Sequence, residues 1–465
     1  MFGRNKNDND ESRAITRRQL IRWTAFTGAV LGLPRWRVFE ALELAGGTAL
    51  AQEAACATTA RSVHLVAGTG GFAWFQLLWP HNDVAAAGNG GFAFHAPGEQ
   101  IIVPGTDRTL TLGPEAPWRN LEGRMNVSAF MAGNNETHTN QPTSNSTLGN
   151  GNGLFAAATA LQTSSPTLVP VIAIDDVPFG NAAGAPRPAR VGNADAIVSL
   201  FDSAASRMGG ALFNPADAEL YDTSYRAFLA LNAQAGRGTT TKAFETGKTA
   251  GAFLGRNLAE LLTPRPSDFV RYGVDAGTAN KITELAKALI ITAKAFAMGL
   301  TSSVIIPCFR DDPHGAFNDM GVLRQTTRGM GMALDAFRND LASLDDPSCA
   351  GYKLSDNLVL SIHGDTPKNP LDRSGWPDGT PGNANWVYVL GSGYLKTGWF
   401  GGIDRGGNVT GFNPATGNDA GFNGGQTAQA ATAAICYAIA KGDKRRLNDV
   451  IPNAVVDGIT RPVLM

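Results

Sequence analysis

Apolar residues recur at Ile282, Leu285, Ala286, Leu289, Ala293 and Phe296, three and four positions apart, so one side of the segment Ala279 to Leu300 is continuously apolar. That spacing predicts a helix whose stripe faces a core, capped by Thr278 and closed by Gly299. Compact apolar runs at Ser62 to Ala67, Thr167 to Ile174, Ser303 to Phe309, Asn357 to Ile362 and Trp386 to Leu390 read as buried strands. Further helical patterns lie at Ala194 to Met208, Ala216 to Ala233, Lys242 to Leu262, Gly321 to Leu344 and Gln426 to Ala440. The basic run Lys441 to Arg446 follows the last of them, as suits a helix C-terminus.

Strand, helix and strand in succession imply a parallel sheet covered by helices. The expected fold is therefore α/β, a mostly parallel sheet flanked by helices, with long Gly/Asn-rich loops. Between Gly68 and Leu161 the pattern is irregular, and Gly133 to Gly153 is almost wholly polar, too poor in apolar side chains to form core of its own. The expected organisation is one domain over residues 52–465, with a loop-rich insertion around 68–161 and a helical one around 194–262.

The first 51 residues carry a different pattern. Thr16-Arg17-Arg18-Gln19-Leu20 precedes the apolar stretch Trp23 to Leu33, and the small-residue triplet Ala49-Leu50-Ala51 follows. This is the order of a twin-arginine export signal, with the mature chain starting near Gln52 and the export machinery as first partner. Two alternatives remain, an uncleaved membrane tether and a basic cytosolic arm. The apolar run is shorter than the roughly 20 residues of a spanning helix, so no stable span is expected after processing. The expected location is periplasmic or at the cell surface.

Charge narrows the partners. With 39 basic and 40 acidic residues there is no basic excess to neutralise phosphates, so nucleic acid is not expected. No nucleotide cofactor is expected either. Four cysteines in 465 residues make no disulfide scaffold and no Cys-x-x-Cys metal pair. Cys308 and Cys436 fall in apolar segments and read as inert buried thiols, whereas Cys56 and Cys349 sit in polar segments and could pair after export.

Open α/β sheets bind ligands beyond the carboxyl ends of their strands. Two of the predicted strands end in a carboxylate and an imidazole two residues apart: Asp312-Pro313-His314 and His363-Gly364-Asp365. Both residue types ligate zinc and related ions, so Asp312, His314, His363 and Asp365 form a candidate metal set. His138, in the polar loop, is a fifth candidate. Ordinary turn chemistry is the competing explanation, since Asp caps turns and half-buried His is common.

In the order of these features the chain resembles a bacterial exported family of unknown function grouped with alkaline phosphatases and sulfatases. The strand after the long helix, which in that family ends Gly-Gly-Phe-Asp-Thr-His, here reads Phe309-Arg310-Asp311-Asp312-Pro313-His314. The Asp and His are kept and the glycines are not. An early acidic glycine turn is replaced by Gly70-Gly71-Phe72-Ala73-Trp74, and a late Asp-His-Gly is missing near Thr380 to Asn383. The resemblance implies an alkaline-phosphatase-like fold with a degenerate metal site, holding one divalent ion (zinc, manganese or calcium) where ester hydrolysis needs two. The leading expectation is a non-catalytic pseudoenzyme that binds an envelope protein or glycan through its loops and through exposed aromatics such as Trp376, Trp386 and Trp399. A metal-dependent phosphate or sulfate ester hydrolase and a structural envelope protein are the alternatives.

Overall fold

A computed structural model describes residues 56–85, 101–133, 153–163, 167–202, 256–365, 367–372 and 375–462, with Thr223, Ala227 and Ala230. The expected export segment, His138 and most of the patterns at Ala216 to Ala233 and Lys242 to Leu262 lie outside the described residues. The chain divides into two compact units, Met1–Glu53 with Phe201–Leu261, and Ala54–Leu200 with Leu262–Met465. The second holds the sheet and the candidate site.

The strands of the described residues are β1 (Arg61–Ala67), β2 (Ile101–Ile102), β3 (Thr111–Leu112), β4 (Asn126–Gly133), β5 (Val171–Ile174), β6 (Ala189–Val191) and β7 (Ser303–Cys308). They continue with β8 (Leu358–Gly364), β9 (Asn385–Gly391), β10 (Gly398–Phe400), β11 (Gly402–Ile403), β12 (Val409–Phe412) and β13 (Asp419–Gly421). Eight of them form one sheet in the order β10-β4-β9-β8-β1-β7-β5-β6. Only β9 runs antiparallel to its neighbours in it. The fold is thus α/β with a large, mostly parallel sheet.

Helices cover both faces. Ile305 of β7 joins Val66, Val359, Val387 and Val389 in a core with the helices Leu154–Gln162 and Gly424–Ile439. Ile306 and Cys308, on the other side of the pleat, line a cleft with Lys281, Leu285 and Ala288 of the helix Asn280–Ala297. All six apolar positions that predicted this helix are buried. Each fully buried Leu, Ile or Phe among them contributes about 1.5–3 kcal/mol.

Several expectations change. Thr278 does not cap this helix; its hydroxyl bonds the side chain and backbone N–H of Asp275, and the N-cap position falls to Ala279. Lys444 to Arg446 do not trail a helix C-terminus but open the short helix Lys444–Val450, where Asp443 accepts from Arg445 and Arg446 N–H. The stretch read as irregular contains β4, an eight-residue strand buried at every position and paired with both β9 and β10. Trp376, Trp386 and Trp399 are not exposed: their relative accessibilities are 1%, 0% and 2%, and they plug the core.

Cys56 and Cys349 form a disulfide. Cys308 and Cys436 are buried free thiols, and burial pushes both upward in pKa, Cys436 to about 12, so they stay protonated and unreactive. No helix among the described residues is long and apolar enough to cross a membrane.

Candidate functional site

The sheet order decides which strand ends meet. β7 and β8 do not pair with each other; each pairs with β1, so the glycine turn after β1 lies between their two loops. That turn is Gly68-Thr69-Gly70-Gly71, with Thr69 and Gly70 both at positive φ (53° and 85°). Gly71 packs so tightly that a Cβ there would fall 1.3 Å from the carbonyl oxygen of Phe309. A Cβ on Gly70 would fall 3.2 Å from both Asp312 Oδ1 and Lys368 Cε, so the turn passes directly over these side chains.

Residues other than glycine also take positive φ around these strand ends: Asp175 after β5, Phe309 after β7, Lys368 after β8, and Trp376. Such backbone costs on the order of 1–3 kcal/mol per residue and persists where surrounding contacts over-determine it. The contacts are visible here. Arg310 pairs with Asp175 at 2.7 Å, and Asp311 accepts from Lys281 Nζ at 2.7 Å and Trp74 Nε1 at 3.2 Å. Gln76 holds the Lys368 carbonyl at 3.3 Å.

Within this frame Asp312, His314 and Asp378 each offer a ligand atom, all within 4.8 Å of one another. They are accompanied by Lys368, whose side chain is wholly buried while Asp312, Asp378 and His314 are 38%, 39% and 49% exposed. The Lys368 ammonium lies 2.5 Å from Asp312 Oδ1, 2.5 Å from Asp378 Oδ1 and 3.0 Å from His314 Nε2. An ammonium has three N–H bonds, and three polar atoms lie within their reach here. His314 Nδ1 lies 3.0 Å from the Gly375 carbonyl, which assigns a proton to Nδ1, while Nε2 lies between Lys368 Nζ at 3.0 Å and Asp312 Oδ2 at 3.2 Å.

The other sequence candidates stand elsewhere. β8 runs two residues past its expected end, so His363 is inside the strand and buried. Its Nε2 lies 2.6 Å from Ser361 Oγ, which also lies 2.7 Å from His64 Nδ1. Burial, and secondarily the neighbouring His64, lowers the His363 pKa well below the usual value. Asp365 accepts the backbone N–H of Thr69 at 2.8 Å and of Gly70 at 3.0 Å, ordering the glycine turn. Neither joins the Asp312, His314, Asp378 group.

Two members of the cluster were missed from sequence. Asp378 lies in Trp376-Pro377-Asp378-Gly379, which reads as a turn, and Lys368 lies between Pro367 and Pro370 in a polar loop. A lysine within a few residues of a strand end that already carries an acid was the available signal.

The donors match a zinc or manganese site in kind, two carboxylates and one imidazole. They do not match it in charge, because their cation is already supplied by Lys368. Fold and site together define an α/β protein with a mixed eight-stranded sheet and a lysine-filled, three-acceptor cluster at its carboxyl edge. Comparison with protein-family models, with curated proteins and with solved structures finds no match.

Proposed function

We propose that the protein is exported by the twin-arginine route and acts as a non-catalytic binding protein on an alkaline-phosphatase-like scaffold, with an envelope glycan or protein as its ligand. The observation that carries this is the cluster itself. Among the described residues it is the one three-donor group for a metal, and Lys368 Nζ already lies against all three donors. Two-metal ester hydrolysis needs two ions roughly 3.5–4 Å apart and a free coordination position. The Cys56–Cys349 bridge supports export, since such bonds persist in oxidising compartments.

A polar cleft supports binding. His81, Asn82, Asp83, Arg108, Trp399 and Asp404 contribute to a cleft of about 450 Å³. His81 packs against Trp399 with ring centroids 3.9 Å apart and the rings tilted by 32°, and neither of its ring nitrogens has a partner. Carboxylates, an amide and a guanidinium are groups that recognise sugar hydroxyls.

The test is elemental analysis of mature protein purified without chelators, combined with phosphate and sulfate ester assays with and without added zinc or manganese. Metal-free, inactive protein that retains envelope saccharides on a glycan array, less so as Asp83→Ala, is the expected result. Stoichiometric metal with ester turnover would establish the hydrolase instead.

A further inference from the structure

We infer that Lys368 is a resident cation standing where a divalent ion would otherwise sit, and that this one side chain keeps the centre metal-free. The inference rests on the non-catalytic reading above and extends it to a cause. Three observations meet. The Lys368 side chain is wholly buried, whereas the acceptors around it are partly open to solvent, so the charge lies beneath its ligands rather than among surface ions. Its three N–H bonds are matched by three polar neighbours belonging to two different loops, the one after β7 and the one after β8. Those neighbours are two carboxylates and an imidazole nitrogen, a set that also suits zinc or manganese.

The alternative is an ordinary ion pair that happens to include a histidine. The neighbouring Asp311 shows what that looks like: a half-exposed carboxylate with Lys281 at 2.7 Å, whose side chain is itself 29% exposed and which lies beside no imidazole acceptor. Lys368 differs in burial, in acceptor number and in acceptor type. Its backbone is also held at φ 66°, and Gly70 passes close enough that its missing Cβ leaves the Lys368 stem room. The two carboxylates bring negative charge to the cluster that the ammonium offsets. A divalent ion added beside the ammonium would meet a fixed like charge, which suppresses binding by roughly a hundredfold or more.

Removing the ammonium should therefore both weaken the fold and open a metal site. The experiment compares the unaltered protein, Lys368→Ala, Lys368→Met and the double variant Lys368→Ala/His314→Ala. Zinc and manganese binding is measured by calorimetry and by metal content after gel filtration, and melting temperature is measured with and without each ion. Expected is no stoichiometric metal in the unaltered protein, and one ion per chain in Lys368→Ala and Lys368→Met with affinity at least about a hundredfold higher. The melting temperature of these variants should fall without metal and recover with it. The double variant should lose both binding and recovery.

If Lys368→Ala and Lys368→Met fail to fold alone, refolding in the presence of zinc is the readout, and recovery of native near-ultraviolet dichroism supports the inference. Variants that fold yet bind no ion, or that no ion restores, overturn it and leave the non-catalytic reading standing. Stoichiometric metal in the unaltered protein overturns both.

Discussion

Breaking the Cys56–Cys349 bridge should destabilise the sheet-bearing unit by several kcal/mol without unfolding it at 25 °C. The two cysteines are 293 residues apart in sequence. In the chain-entropy treatment a loop of that length restricts the unfolded ensemble by about 5–6 kcal/mol, an upper value because real unfolded chains are already compact. On the native side little is lost when the bond opens. Ala57 N–H still donates to the Ser348 carbonyl at 3.0 Å, and Arg61 still meets Asp346 at 2.8 Å. Asp346 in turn accepts from Asn357 Nδ2 at 2.7 Å and from the Ser348 N–H at 2.9 Å. Burial alone would raise the pKa of Asp346, but Arg61 and these hydrogen bonds outweigh it and hold the carboxyl below its usual range. It therefore stays ionised and paired with Arg61 near neutral pH. The reduced chain keeps its anchor, so the expected loss is about 3–6 kcal/mol.

The assay is urea unfolding at fixed pH of the oxidised protein against Cys56→Ser/Cys349→Ser, followed by tryptophan fluorescence, to which the buried Trp79, Trp376, Trp386 and Trp399 respond. The denaturant slope should be smaller for the oxidised form, because its unfolded state exposes less surface. A loss under about 1 kcal/mol with equal slopes would refute the entropic reasoning. Four titratable thiols in the denatured, unreduced mature protein would show that the bridge is not made at all.

Two further outcomes follow from the core. His64 and His81 are buried and lowered to about pKa 3 by burial, and His363 is lowered for the same reason, so all three fold neutral. The unfolded chain protonates them near pH 6.5 and the folded one only well below that, near pH 3 for His64 and His81, so their contribution to stability is flat above about 6.5 and falls as pH drops below it, by up to ~1.4 kcal/mol per pH unit per histidine. Urea midpoints from pH 7.5 to 4.5 measure this; His81→Phe should flatten the fall, and unchanged stability down to pH 4.5 would contradict it. Gly71→Ala should destabilise by at least about 3 kcal/mol, since its Cβ would meet the fixed Phe309 carbonyl rather than a movable side chain. Gly421→Ala, with open space at its Cβ, is the control for glycine loss as such.

Much of the scaffold was legible from local pattern. β1, β7 and the helix Asn280–Ala297 lie within a few residues of where periodicity put them, because burial of one face writes its own period into the sequence. β4 was not legible. Asn126-Val127-Ser128-Ala129-Phe130-Met131-Ala132-Gly133 mixes polar and small residues and shows no alternation, since neighbouring strands and a helix bury it on both sides. The end of β8 was equally hidden: an imidazole after Ile362 reads as the start of a polar loop, and only the contact with Ser361 makes it a core residue.

The site divides the same way. The sequence by itself placed Asp312 and His314 at a strand end, because a switch from apolar to polar residues marks where backbone leaves a sheet. It could not supply their companions. Asp378 and Lys368 come from loops whose positions depend on β1 lying between β7 and β8, and strand order is a long-range choice that no local spacing encodes. That Lys368 Nζ lies among those carboxylates and that imidazole depends on how the loops come together, which only the tertiary structure shows.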